Sequence, residues 1–178
     1  MVKHPAIFLD RDGTVIEDKG YIDNILAVEF FSYTFEALEL LKKHFSFFIV
    51  TNQSGISKGL ISESAVQDVN KHISETLKAN GISIIDTFYC PHKNEDSCYC
   101  KKPKPYFLNL AAQLYNVDLA KSFIIGDHPS DIACGINAGV TPIYLLSGHG
   151  KKHRDELTFD SKVFNNLLDA SKYIISTI

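Results

Sequence analysis

Two carboxylates stand two residues apart in Asp10-Arg11-Asp12-Gly13-Thr14, directly behind the apolar run Ala6–Leu9. A carboxylate in such a place can attack phosphorus and form an aspartyl-phosphate. The second carboxylate is then placed to act as general acid and base. With Asp127, in Gly126-Asp127 behind another apolar run, the pair can also hold Mg²⁺. That ion takes one or two carboxylates and keeps several waters and phosphate oxygens. A solvated turn is the competing reading of so short a motif, because Asp and Gly are turn formers. A calcium-binding EF-hand loop is excluded. Counted from Asp10, Val15 and Tyr21 occupy the positions that need Gly and Glu. Thr51-Asn52-Gln53-Ser54-Gly55 offers a hydroxyl, an amide and backbone N–H groups, which suit either a phosphate oxygen or an ordinary strand-end turn. Asp131, one helical turn beyond Asp127, can orient a lysine or cap a helix start.

Cys90-Pro91-His92 and Cys98-Tyr99-Cys100 are the strongest single signal. They supply the Cys₃His set of structural zinc sites, at tighter spacing than the common finger. A disulfide between Cys98 and Cys100 would need strained geometry. Four protein ligands leave no open position, so the expected zinc is structural. Three thiolates and Zn²⁺ sum to about one negative charge, which Lys93, Lys101, Lys102 and Lys104 can offset. Lys102 follows Cys100 by two residues, so the clamp can fix a lysine that reaches a phosphate. Cys134 reads as a small buried residue on a helix. His44, His72, His149 and His153 show no partner pattern, and Lys151-Lys152-His153-Arg154 reads as a solvated basic turn.

These residues need a frame. Apolar strand candidates at Ala6–Leu9, Phe45–Val50, Ile84–Cys90, Phe123–Ile125 and Thr141–Leu145 alternate with helical patterns at Thr34–Lys43, Ser62–Asn80, Pro105–Asn116 and Pro129–Asn137. The tail adds a short strand at Lys162–Phe164 and a helix over Leu167–Ile175. Fully apolar strands joined by helices predict an α/β fold: a three-layer, Rossmann-like parallel sheet with helices on both faces. Ligands of such sheets bind beyond the carboxyl ends of the strands, which is where every motif above falls.

Composition sets the bounds. The chain has 178 residues, 45% hydrophobic and 22% charged, with a net charge of −3. One domain over 1–178 is expected, large enough to bury about 70% of its unfolded surface. The acidic balance argues against nucleic-acid or membrane-surface partners. The first apolar run has four residues, against about 7–15 for a signal peptide and about 20 for a membrane span. A cytoplasmic monomer with reduced thiols is the expectation.

Four motifs in order give the chain its resemblance to the haloacid dehalogenase (HAD) superfamily of phosphatases, from Ala6 to about Ile175. Asp10–Thr14 resembles the first motif, Thr51 the second, Lys102 the third, and Gly126-Asp127 with Asp131 the fourth. The resemblance implies Asp10 as nucleophile and Asp12 as general acid, then base. Thr51 and Lys102 would bind the transferred phosphoryl group, and Asp10, the backbone carbonyl of Asp12, and Asp127 would hold Mg²⁺. The cysteine cluster resembles the zinc-containing branch that acts on heptose bisphosphates and on histidinol phosphate. It implies a small phosphate ester as substrate, with Arg11, Asp18, Lys19, Gly20, Tyr21, Asn52, Gln53, Ser54 and Lys101 around it. Two positions depart from the heptose pattern: Ile16 stands where Asn is usual, and Lys101 where Arg is usual. Segment lengths leave no room for a cap domain, so the Glu17–Tyr21 loop, the loop after Thr51 and the zinc loop must carry specificity.

Overall fold

The computed structural model describes residues 3–178; Met1 and Val2 of the expected 1–178 unit lie outside the described residues. In chain order its main elements are β1 (Ala6–Leu9), α1 (Thr34–Leu41), β2 (Ser46–Asn52), α2 (Glu63–Ala79), β3 (Ile84–Cys90) and α3 (Tyr106–Tyr115). They continue with β4 (Phe123–Gly126), α4 (Pro129–Ala138), β5 (Thr141–Leu145), α5 (Gly150–His153), β6 (Lys162–Phe164) and α6 (Leu167–Ile175). The six strands form one parallel sheet in the order β3-β2-β1-β4-β5-β6.

Strand alternation builds two cores. Ile7 and Leu9 of β1 point to one face, where they join Ala37, Leu38 and Leu41 of α1, Val69, Ile73 and Leu77 of α2, and Leu167, Ala170 and Ile174 of α6. Ala6 and Phe8 point to the other, with Leu108 and Ala111 of α3 and Cys134 of α4. Both faces of β1 are therefore apolar, which is why its sequence does not alternate. The expected three-layer α/β sheet is what forms. No cap domain interrupts the described residues: between β1 and α1 the chain makes only a loop and the short 3-10 turn Ile25–Ala27.

The chain order makes one place special. From β1 it runs outward to β2 and β3, then returns across to β4, β5 and β6 on the opposite side. β1 and β4 thus flank the switch point, the crevice where such sheets take ligands. Asp10 leaves β1 there and Asp127 leaves β4 there.

Three details differ from expectation. β2 runs on to Asn52 because its ladder with β3 continues to the pair Asn52–Cys90, so Thr51 and Asn52 belong to a strand, not a loop. The helix expected to reach Lys43 ends at Leu41, whose carbonyl accepts from the N–H groups of His44 and Phe45 as the chain turns into β2. The basic segment after His149 is a turn of helix, α5, and His149 just before it lines the crevice. No helix among the described residues is long and apolar enough to cross a membrane.

Candidate active site

The centre of the crevice is a lysine between carboxylates. Lys102 Nζ lies 2.6 Å from Asp10 Oδ1 and 2.6 Å from Asp131 Oδ1, and donates to the Val50 carbonyl at 2.6 Å. Burial alone would lower this ammonium, but Asp10 and Asp131 outweigh burial and hold it raised, so it stays charged. Asp131 reaches this position from the first turn of α4, where its Oδ2 also accepts from the His128 N–H and caps the helix. Gly126 makes room for it: a Cβ there would lie 2.2 Å from Asp131 Oδ2.

Asp127 is the third carboxylate. Its Oδ2 accepts from the His149 N–H at 2.7 Å, and a Cβ on Gly13 would meet that oxygen at 2.2 Å. One oxygen from each of Asp10, Asp127 and Asp131 lies within 4.8 Å of the others. A single lysine faces three carboxylates, so negative charge is in excess. The Asp127 carboxyl is accordingly pushed up to about 8 by burial and by repulsion from Asp10 and Asp131. Asp131 rises to about 6, where burial and Asp10 outweigh the opposing pull of Lys102. Buried, mutually repelling hard oxygen donors fit a divalent cation such as Mg²⁺.

This excess has a measurable sign. Asp127 titrates near 3.8 in an open chain and at about 8 in the folded one, so the folded protein keeps a proton that the unfolded chain releases. The resulting stability is fully present below 3.8 and is lost as pH rises toward about 8. Metal-free protein is therefore expected to lose a few kcal/mol, at order of magnitude, over that window. Saturating Mg²⁺ should flatten the slope in thermal melts. Parallel pH curves with and without Mg²⁺ would count against a cation at these carboxylates.

Asp12 sits beside this centre and is held by two residues. Arg11 Nε and Nη2 donate to its two oxygens, each at 3.0 Å. Gln53 Nε2 donates to Asp12 Oδ2 at 2.9 Å and to Thr51 Oγ1 at 2.8 Å. Burial raises the Asp12 carboxyl more than the Arg11 charge lowers it, with Asp10 adding to the rise. A carboxyl held toward its protonated form suits a general acid. Arg11 itself corrects an expectation. It is fully buried, its third contact is Asn70 Oδ1 on α2 at 2.8 Å, and it does not line the cleft. Its guanidinium is spent on orienting Asp12 and cannot grip a substrate.

The four cysteine-cluster side chains come together as one knot. Cys90 Sγ lies 3.7 Å from Cys98 Sγ and 3.2 Å from Cys100 Sγ, and His92 Nδ1 lies 3.5 Å from both Cys90 and Cys100. Ligands about 2.0–2.3 Å from a tetrahedral zinc stand roughly 3.5–3.8 Å apart, so the cluster has the size and the soft donors of a zinc site. None of the four cysteines is in a disulfide. Burial pushes the Cys90 thiol up, a cost that a bound cation would remove by deprotonating it. Lys104 donates to the Cys98 carbonyl and Lys101 to the His92 carbonyl, so the flanking lysines brace the loop.

The loop delivers Lys102 through Asn52. The Asn52 Nδ2 donates to the Lys102 carbonyl at 3.3 Å, and its Oδ1 accepts from the Lys102 N–H at 3.1 Å. Asn52→Ala removes both bonds. A drop of roughly 10–100-fold in turnover is expected, from about 1–3 kcal/mol of lost positioning, with metal content unchanged. Full activity in a steady-state assay would show that the clamp alone positions Lys102.

The cleft so formed has a volume of about 390 Å³. Asp10, Asp12, Thr51, Lys102, Asp127 and Asp131 all line it, as do Asp18, Gly20, Tyr21, Asn52, Gln53 and Lys101. Lys19 does not: its ammonium pairs with Glu29 at 2.7 Å on the exposed side of the loop. Ser54 also lies off the lining, and its carbonyl accepts from Ser57 as the chain turns away. Ile16, one of the two departures, is fully buried in the core and bridges to Asp12 and Phe30, so it shapes the loop from behind. His128 and Ser130, just beyond the end of β4, also line the cleft, and Asn94 and His149 line it without having been expected there. His149 acts on Asp127 through its backbone N–H, for which no side-chain pattern exists. Its ring reaches Asp18, 3.3 Å away across the mouth.

Fold and site together define a HAD-like phosphatase. Residues 99–170 match the HAD-hydrolase-like family. The D-glycero-alpha-D-manno-heptose-1,7-bisphosphate 7-phosphatase of Photorhabdus laumondii is 35% identical over 184 residues, covering 97% of each chain. The corresponding D-glycero-beta-D-manno enzyme of Escherichia coli K12 is 34% identical, covering 96% of this chain and 93% of its own. A D,D-heptose 1,7-bisphosphate phosphatase from B. bronchiseptica, solved with magnesium and phosphate, superposes with a TM-score of 0.90. It is 26% identical and covers 98% of this chain and 99% of its own. The chain belongs to the D-glycero-D-manno-heptose-1,7-bisphosphate 7-phosphatase family of HAD-like phosphatases.

Proposed function

We propose that this protein removes the 7-phosphate of a D-glycero-D-manno-heptose 1,7-bisphosphate through an aspartyl-phosphate on Asp10. The observation that carries the chemistry is the pairing of Asp10 with Lys102 at 2.6 Å, beside Asp12, Thr51 and Asp127 in one cleft. Asp10 Oδ1 is engaged by the lysine, which leaves the other oxygen to attack phosphorus. As the P–O ester bond breaks, Asp12 gives its proton to the leaving alkoxide oxygen. The Asp12 carboxylate then takes a proton from water, which attacks the phosphoryl-aspartate and frees Asp10 and inorganic phosphate. Thr51 and Lys102 hold the phosphoryl oxygens, and Gln53 keeps the Thr51 hydroxyl and the Asp12 carboxyl in register. Asp10, the Asp12 carbonyl and Asp127 would hold Mg²⁺, which supplies neutralisation of charge on the phosphoryl group. The Cys90, His92, Cys98 and Cys100 set would hold a structural zinc. Asp131 supports Lys102.

The relatives' names support the heptose substrate, and the cleft's polar mouth of Asp18, Gly20, Tyr21 and Lys101 suits a hydroxylated phosphate ester. Lys101 would contact the ester as a point charge, whereas the arginine usual in the pattern it resembles would grip it with two bonds. We further propose a single domain acting as a cytoplasmic monomer, which matches its free thiols, and no nucleic-acid partner, which matches its net charge of −3. The test is phosphate release by zinc-loaded protein with Mg²⁺. Heptose 1,7-bisphosphate is expected to be the better substrate by kcat/KM, ahead of histidinol phosphate. The reverse order would shift the assignment to histidinol phosphate, and no release from either would overturn it.

A further inference from the structure

At one rim of the cleft, three side chains outside the machinery above converge. His128 stands between β4 and α4, His153 ends α5, and Glu156 lies in the 3-10 turn Arg154–Glu156 that follows. One ligand atom from each lies within 4.8 Å of the others. The His153 Nδ1 and Glu156 Oε1 are 2.7 Å apart, and the rings of His128 and His153 meet edge to face at 4.9 Å.

We propose that His128, His153 and Glu156 form a third metal site, for a divalent transition ion of the Zn²⁺ or Ni²⁺ kind. Two imidazoles and one carboxylate favour such ions over Mg²⁺, which prefers oxygen throughout. His153 and Glu156, three apart on continuous helical backbone, share one face. The His128 ring is already oriented: its Nδ1 lies 2.9 Å from Ser130 Oγ, an oxygen that can accept the ring proton and leave Nε2 for an ion. That tautomer gives up the bond the same nitrogen now accepts from the Ser130 N–H. Nitrogen and oxygen ligands of a tetrahedral ion sit about 3.3 Å apart. An ion would therefore spread the His153–Glu156 pair by a fraction of an ångström, which side chains at this solvent-exposed rim permit. Three protein ligands leave a coordination position open. Because His128 lines the cleft, the bound ion would stand at its entrance.

The site is tested by titrating Ni²⁺ into protein brought to one equivalent of zinc, enough for the cysteine cluster alone, in saturating Mg²⁺, so that the two other sites are filled and this one is free, with the heat of binding as readout. One equivalent of Ni²⁺ is expected to bind the unaltered chain. His153→Ala and Glu156→Gln should each weaken that binding by roughly 100-fold, while zinc content and the melting curve stay unchanged. Equal binding by the unaltered chain and both variants, or no Ni²⁺ binding by the unaltered chain, would overturn the proposal. The readout is independent of phosphate release, so the phosphatase assignment stands or falls separately.

Discussion

Asp10→Asn is expected to lower turnover by roughly 10⁴-fold or more, the scale on which losing a nucleophile acts, while the fold persists. The substitution keeps shape but removes the lone-pair charge that attacks phosphorus. Its structural cost is small for an identifiable reason. Lys102 keeps Asp131 at 2.6 Å as a partner, so no buried charge is left unpaired. The variant also removes the carboxylate that, after burial, contributes most to pushing Asp127 up. The metal-free variant should therefore melt no lower than the unaltered protein at neutral pH, and its Asp127 should ionise more readily. Single-turnover phosphate release and thermal melts check both halves. Turnover within tenfold of the unaltered enzyme would refute Asp10 as nucleophile.

Cys90→Ser is expected to remove stoichiometric zinc and, with it, most activity. Cys90 is the end of β3 and pairs with Asn52 of β2, so the clamp is anchored to the sheet one residue beyond Thr51. From that anchor the loop runs through Cys98 and Cys100 to Lys102. Without the ion, two buried thiols at Cys90 and Cys100 hold the loop only through weak contacts. Structural zinc contributes on the order of 10 kcal/mol to small metal-dependent units. Here the sheet carries much of the fold, so a loss of several kcal/mol is the expected scale. Metal analysis and melting curves measure it. Lys102→Met separates the two roles: zinc should remain bound while activity falls. Loss of zinc in Lys102→Met, or full activity in zinc-free Cys90→Ser, would break the link between clamp and lysine.

Much of this was legible beforehand. Ala6–Leu9 and Phe123–Ile125 are short and apolar on both faces, and such runs joined by helical patterns point to the inside of a parallel sheet. The chemistry-bearing residues fall at their carboxyl ends, so the cleft followed from chain order. The chain does not display in its sequence a role that lies in a backbone group or in a partner far along it. Arg11 sits inside the first motif and carries a charge, so it read as a substrate contact, but Asn70 and Asp12 claim its guanidinium in the interior. Lys19 failed for the opposite reason: Glu29 draws it outward, away from the loop's cleft side.

By itself, the order of carboxylates, hydroxyl, lysine and cysteines determined the reaction class, the fold that could host it and the soft-donor set for zinc. These depend on residue type and local spacing, which a linear chain displays directly. The tertiary structure alone decided which charges neutralise one another. Lys102 is shared between Asp10 and Asp131, Asp127 is left repelled, and Asn52 ties the zinc loop to the sheet. Charge balance in a buried cleft depends on distances of a few ångströms between residues far apart in the chain, such as Lys102 and Asp10, 92 positions apart, and no spacing along the chain encodes those.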